Sequence, residues 1–265
     1  MPFQKIVAEK ISTTVTQQIE ELILQGVLRP GDRLPAEREL SETMDVSRPT
    51  LREALADLEQ RGLIATRPGG GTVVAEVLGS AFAAPLIELF ATHDEALFDY
   101  IAFRRDMEGL AAERAALHAT DADLAVINSV FARMEEAARK RNPDEEAAID
   151  AEFHMTIVEA AHNVVMLHMM RSLYDLLVRG VFYNRNAIYS LRESRTKLFD
   201  QHRAIRDAVV GRDPRAARAA IEAHMDFIAE ALRDANRLRS REQVAALRQR
   251  HEEQRAQKPR PRKGV

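Results

Sequence analysis

The sequence predicts a mainly α-helical protein with one small β-hairpin near its N-terminus. Three observations point there. Ala and Leu dominate a 265-residue chain that is 46% hydrophobic but only 5% aromatic, a balance that favours helices over sheets. Apolar residues recur at helical spacing through most of its length. Leu63 to Thr66 and Thr72 to Val74 flank Arg67-Pro-Gly-Gly-Gly71 and read as two short strands around a hairpin tip. The length accommodates two modest domains, each able to bury a core of its own.

The elements follow in order. Ile11, Val15, Ile19, Leu22 and Ile23 predict a first helix from Glu9 to Gln25, with Gly26 just past its end. A Pro/Gly-rich turn, Leu28 to Pro35, leads into a second helix, Ala36 to Met44. Ser47 is a good N-cap for a third helix, in whose first turn Pro49 is tolerated; Leu51, Leu55 and Leu58 form its buried stripe and Gly62 ends it. After the hairpin, residues 78–94 read as a linker with a short helix. Helices are then expected at Glu95–Ala119, Asp121–Arg141, Asp144–Ala161, Val164 to about Tyr189 (with a possible break near Gly180), Ser194–Val210 and Asp213 to about Leu238. The predicted organisation is therefore an N-terminal domain over 1–77, the linker, an all-helical domain over 95–238, and a basic tail over 239–265 that reads as a frayed helix and then disorder.

Composition excludes several classes of protein. Without cysteine there is no disulfide framework, Cys-type zinc finger or thiol catalysis. The polar, charged stretch Met1 to Ile11 is no secretory signal, and the longest apolar stretch, Phe82 to Phe90, is broken by Pro85 and Glu88, so no membrane partner is expected and the location expected is cytoplasmic. The net charge of −3 conceals an uneven distribution. Arg237 to Lys263 holds ten basic residues against three acidic, whereas residues 1–75 hold nine against eleven. Any nucleic-acid contact by that first segment must come from a positioned cluster and not from bulk charge.

Helix, turn, helix and a Gly-tipped hairpin within about seventy residues is the layout of a winged helix-turn-helix, a reader of double-stranded DNA. With the leucines of the third helix buried, Arg48 and Arg52 fall four apart on its exposed face, beside Thr50. Arginine grips guanine edges or phosphates, and the helix N-terminus favours phosphate as well. Arg33 and Arg38 precede this helix and can brace the same backbone, while Arg67 and the glycines at 69–71 let the wing approach closely. The segments Leu28-Arg-Pro-Gly-Asp-Arg-Leu-Pro-Ala-Glu-Arg-Glu-Leu-Ser41, Val46-Ser-Arg-Pro-Thr-Leu-Arg-Glu-Ala-Leu55 and Gly69-Gly-Gly-Thr72 resemble the GntR family of bacterial regulators, over nearly all of residues 5–75. The resemblance implies that Arg38, Ser47, Arg48, Pro49, Thr50 and Arg52, with the wing glycines Gly69 and Gly70, touch operator DNA.

In the helical half, His154 shares a face with Ile157 and Val158, His202 with Ile205 and Val209, and His224 with Ile221 and Ile228. Imidazoles on apolar faces need partners. Asp150 precedes His154 by one turn, so one carboxylate and three imidazoles from three helices can hold a divalent metal with open positions; satisfied core histidines are the other reading of the same spacing. Arg104 lies on the stripe of Leu97, Ile101 and Ala111 and needs a carboxylate, either Glu108 one turn on or a ligand's. The segments Phe103-Arg-Arg-Asp-Met-Glu-Gly-Leu-Ala-Ala112, Asp150-Ala-Glu-Phe-His154 and Ala160-Ala-His-Asn163, followed by His202 and His224, resemble the FadR-type subgroup with its all-helical FCD effector domain. Gly79 to Leu89 and Glu159 to Val165 place the chain nearest its pyruvate- and lactate-responsive branch. That resemblance implies that Asp150, His154, His202 and His224 hold a divalent cation, zinc or similar, and that Arg104 meets the carboxylate of a small organic acid.

The implied mechanism is a homodimeric repressor released from a palindromic operator by an acid such as pyruvate, lactate or glycolate. Two alternatives stand beside it: a DNA-tethered metalloenzyme using the Asp/His site, and an architectural DNA binder without an effector.

Overall fold

The computed structural model describes residues 10–67, 71–76, 93–140, 142–178 and 192–257. Among them are nine helices and two strands: α1 (Ile11–Leu24), α2 (Glu37–Thr43), α3 (Arg48–Gln60), β1 (Ile64–Arg67), β2 (Gly71–Val74), α4 (Asp94–His118), α5 (Asp121–Lys140), α6 (Pro143–Ala160), α7 (Val164–Val178), α8 (Arg192–Val210) and α9 (Pro214–Gln257). The linker helix expected within 78–94 and the break expected near Gly180 lie outside the described residues. These elements form two compact units. One holds α1 to α3, the hairpin and α7; the other holds α4, α5, α6, α8 and α9.

In the first unit α3 packs on α1, α2 and β1. Its core joins Val15, Ile19 and Ile23 of α1 to Leu40, to Leu51, Ala54 and Leu58 of α3, and to Ile64 and Val74 of the hairpin. Ile11, expected on the buried stripe, is exposed because it begins the helix, and Ala54 takes the fully buried place assigned to Leu55, which is only partly covered. Gly26 and Gly62 end α1 and α3 in the left-handed region (φ 73° for each) that glycine adopts without strain. The hairpin is antiparallel, pairing Ile64 with Val74 and Arg67 with Gly71. The turn before α2 adds a partial third strand: Leu34 donates to the Thr72 carbonyl at 2.9 Å and Val74 to that of Asp32 at 2.9 Å.

Helix α7 is docked within this unit at the end of α1. The Arg171 guanidinium donates through Nη2 to the Gly26 carbonyl at 3.1 Å, and His168 Nε2 stands 2.9 Å from the Leu24 carbonyl. Both oxygens belong to the C-terminus of α1, where the helix leaves its carbonyls without intrahelical partners and favours cations. A Cβ at position 26 would lie 2.5 Å from Arg171 Nη1, so the approach requires glycine.

In the second unit α9 lies along α4 and α8, α5 pairs with α6, and α6 also packs on α4. A small-residue stripe on α4, Ala111, Ala112, Ala115 and Ala116, is fully buried, and Gly109 leaves room for the Arg218 and Glu222 side chains of α9. Caps define the ends. Thr120 Oγ1 accepts from the Asp123 amide at 3.2 Å while Asp123 Oδ2 accepts from the Thr120 amide at 2.7 Å, a reciprocal box. Asp213 Oδ1 accepts from the Ala216 amide at 3.0 Å, with Pro214 opening α9. The last helix corrects one expectation. It does not end near Leu238 but continues unbroken to Gln257, through most of the segment expected to be a frayed helix and then disordered. The residues there, rich in Ala, Leu, Arg, Gln and Glu, are strong helix formers, and one-turn pairs such as Gln249 with Glu253 (3.0 Å) add support. No described helix is long and apolar enough to cross a membrane.

Candidate nucleic-acid interface and metal centre

The nucleic-acid candidates sit on the first unit. Ser47 caps α3: its Oγ accepts from the Thr50 amide at 3.3 Å and lies 2.7 Å from Thr50 Oγ1. The tight bend before it places Asp45 at φ 51°, a conformation aspartate tolerates. Arg48 opens α3, Pro49 follows, and Arg52 stands one turn on; Arg48, Pro49 and Arg52 are exposed, as the buried leucines opposite them require. Arg52 donates through Nε to Glu37 Oε2 of α2 at 2.7 Å, an exposed pair that ties the two helices. Arg38 is exposed on α2. Arg33 is exposed beside the wing, pairs with Val73 across a bridge, and lays its guanidinium where a Gly71 Cβ would come within 2.8 Å of Nε. Gly69 and Gly70 lie outside the described residues. Sequence reasoning missed Glu37, whose only signal is its place at the exposed start of α2.

The second unit brings together the four residues of the metal reading. Asp150 and His154 come from α6, His202 from α8 and His224 from α9, all buried, and one ligand atom from each lies within 4.8 Å of the others. His202 Nε2 is 2.9 Å from Asp150 Oδ1 and 3.2 Å from His154 Nε2. The three rings are mutually close, with centroids 4.5–5.2 Å apart, and Phe153 presents its ring edge-on to two of them. Burial pushes His224 well below the usual imidazole range, helped by His202 and His154; burial also lowers His154, against the pull of Glu108. Both are thus neutral at pH 7, the form that binds metal. His224 Nε2 is buried with no hydrogen-bond partner among the described residues. An orphaned lone pair facing a carboxylate and two imidazoles suits a divalent cation of the zinc type, and the set fits one.

Arg104, 1% exposed, lies at the edge of this cluster. It donates through Nε to Glu108 Oε1 at 2.6 Å, and its guanidinium carbon is 5.9 Å from the Tyr100 ring centre. The partner one turn on, proposed from spacing, is the one observed. Glu108 does more than that spacing reveals, because its Oε2 stands 2.7 Å from His154 Nδ1. Burial acts to raise the Glu108 carboxyl, but Arg104 and His154 outweigh it and hold it down at about 2. Gln201 of α8 was also missed; its Oε1 accepts from His224 Nδ1 at 3.0 Å.

Comparison with known proteins finds two family models, the second of which runs through α7 as well as the helical unit. Residues 11–74 match the gntR family of bacterial regulatory proteins, and residues 99–227 match the FCD domain. The Glc operon transcriptional activator of Escherichia coli K12 is 36% identical over 228 residues, covering 84% of this chain and 89% of its own. This chain belongs to the GntR family and carries an FCD domain. It is accordingly a DNA-binding, effector-responsive transcription regulator, and its first unit holds the family's winged helix. The Escherichia coli K12 "Putative L-lactate dehydrogenase operon regulatory protein" is 34% identical, covering 84% and 86%. The repressor NanR of Salmonella arizonae is 28% identical, covering 83% of each chain. Among solved structures, Streptococcus agalactiae GntR has the same fold, with a TM-score of 0.50 at 23% identity over 83% of this chain and all of its own.

Proposed function

We propose that this GntR regulator is a cytoplasmic, homodimeric repressor that leaves a palindromic operator when a small hydroxy- or oxo-acid binds its FCD domain. Operator DNA is met by Arg33, Arg38, Ser47, Arg48, Pro49, Thr50 and Arg52, with Gly69 and Gly70 at the wing tip. Asp150, His154, His202 and His224 hold a divalent cation, and Arg104 takes the acid's carboxylate alongside or in place of Glu108. The observation that carries this reading is the buried Asp/His cluster within one residue contact of a buried arginine. A cation and a guanidinium on either side of Glu108 form a site for an anion able to chelate. When bound, the cation supplies a Lewis-acidic anchor for the acid's oxygens. The relatives are named as transcription regulators, and we read this chain likewise as a non-enzyme. Those names include an activator and a repressor; release by the acid is our assignment for this chain.

The test is binding of the full-length protein to a fragment of its own upstream DNA, with pyruvate, lactate, glycolate and citrate each titrated in. A tenfold loss of affinity with one acid, about 1.4 kcal/mol of coupling, is the expected result. Tighter binding with every effective acid would reverse the direction of control. Turnover of an acid by the metal-loaded protein would overturn the non-enzyme reading.

A further inference from the structure

Beyond the four metal-site residues, two polar side chains are packed on the outer nitrogens of the imidazoles. Glu108 stands 2.7 Å from His154 Nδ1, and Gln201 Oε1 lies 3.0 Å from His224 Nδ1. Both acceptors sit on the side of the ring away from the cluster, since His154 Nε2 faces His202 Nε2 and His224 Nε2 is the orphaned atom. Resting on the metal-centre reading above, we infer that Glu108 and Gln201 are positioning residues that fix two histidine tautomers, and that Glu108 is the shared link between the metal centre and Arg104.

Neutral imidazole carries one proton, and whichever nitrogen donates leaves the other as the ligand. The Glu108 oxygen 2.7 Å from His154 Nδ1 is not in line for a straight hydrogen bond, but a carboxylate that close favours a proton on Nδ1, which leaves Nε2 with its lone pair turned into the cluster. The amide oxygen of Gln201 does the same for His224. Such outer partners hold the ring's orientation and raise its basicity as a ligand.

Glu108 differs from Gln201 in having a second obligation. Its Oε1 takes Arg104 Nε at 2.6 Å while Oε2 faces the imidazole, so one carboxylate serves both. With a cation held by the cluster, the His154 Nδ1–H would become a stronger donor and would draw the Glu108 charge toward it. That loosens the hold on Arg104. By reciprocity, any anion that takes Arg104 strengthens Glu108 toward His154 and thereby the cation. Glutamine at 108 cannot do both tasks, because its NH2 would replace one carboxylate oxygen and set a donor against either Arg104 or His154.

The experiment titrates Zn(II), and separately Co(II), into metal-free full-length protein and its Glu108→Gln, Gln201→Leu and Gln201→Glu variants. Zn(II) affinity is read by competition with a chelating dye, and the Co(II) ligand-field spectrum reports the geometry of the donors. Glu108→Gln and Gln201→Leu should each weaken Zn(II) by about 10–100-fold and alter the Co(II) bands, whereas Gln201→Glu, which keeps the acceptor, should restore wild-type behaviour. Histidine ring-nitrogen NMR of the metal-free protein should show both rings protonated at Nδ1, and the His224 signal should change in Gln201→Leu. Gln201 is only part-buried, so its variants keep the test valid should Glu108→Gln fold poorly. Wild-type protein that takes up neither ion overturns the metal reading and this inference together. Wild-type uptake with unchanged affinity and spectrum in Glu108→Gln and Gln201→Leu overturns this inference alone.

Discussion

At the scale of single residues, chemistry at both sites depends on partners that spacing exposes unevenly. Arg104 with Glu108 was legible, because a guanidinium on an apolar stripe requires a carboxylate and one stood a turn away. Glu108 with His154 was not, since the two lie 46 positions apart and meet only when α4 packs on α6. Gln201 adjoins His202 in the chain but serves His224 on another helix, which no periodicity foretells. The clustering of Asp150, His154, His202 and His224 was legible because each histidine interrupts an apolar stripe and Asp150 lies one turn before His154. On the DNA-reading helix, Arg52 is held by Glu37 through a pair whose members are both well exposed, so the pair contributes little to stability. Arg52→Ala should therefore leave folding within about 0.5 kcal/mol of wild type while costing about 1–3 kcal/mol in operator binding. Fluorescence anisotropy on the upstream fragment measures it, and unchanged affinity would remove Arg52 from the interface.

At the scale of elements, ends were easier to foresee than partners. Ser47 caps the helix assigned to it, Gly26 and Gly62 close theirs, and the helices expected from Asp121 and Asp213 begin there, capped by Thr120 and Asp213. Caps are local rules, and local rules are written in the sequence. Ser47 has two duties, since the hydroxyl that caps α3 is also nominated to touch DNA. Ser47→Ala should lower stability by about 1 kcal/mol, from the amide of Thr50 left unsatisfied, as read by urea unfolding. An equal loss in Ser47→Gly would be unexpected, because glycine is itself tolerated as a cap. The error lay at the far end of α9. That stretch was read as a frayed helix passing into disorder, whereas its residue types, of high helix propensity, continue the helix to Gln257.

At the scale of the molecule, the two-part organisation was visible as a hairpin followed by unbroken helical periodicity. The membership of α7 was not. Its amphipathic pattern shows which face is covered but not by what, and α7 groups with α1 to α3 and not with the helices that flank it in the chain. The metal reading also has a consequence for the whole fold. Four buried donors drawn from α6, α8 and α9 join three segments of the helical unit, so a bound cation cross-links it. Cation at 100 times its dissociation constant should stabilise that unit by about 2.7 kcal/mol. Calorimetry of chelator-treated and Zn(II)-reloaded protein should show the helical unit's transition rise by several degrees on reloading. A transition indifferent to metal would count against the centre.

The meeting of Gly26 and Arg171 carries an implication for inheritance. A side chain at position 26 meets a left-handed backbone and a guanidinium, the movable end of a long side chain, resting where a methyl group would begin. Lineages that replace this glycine must therefore also give up the arginine or turn it elsewhere. Replacing the glycine should then release the guanidinium from the Gly26 carbonyl and loosen the contact that joins α1 to α7.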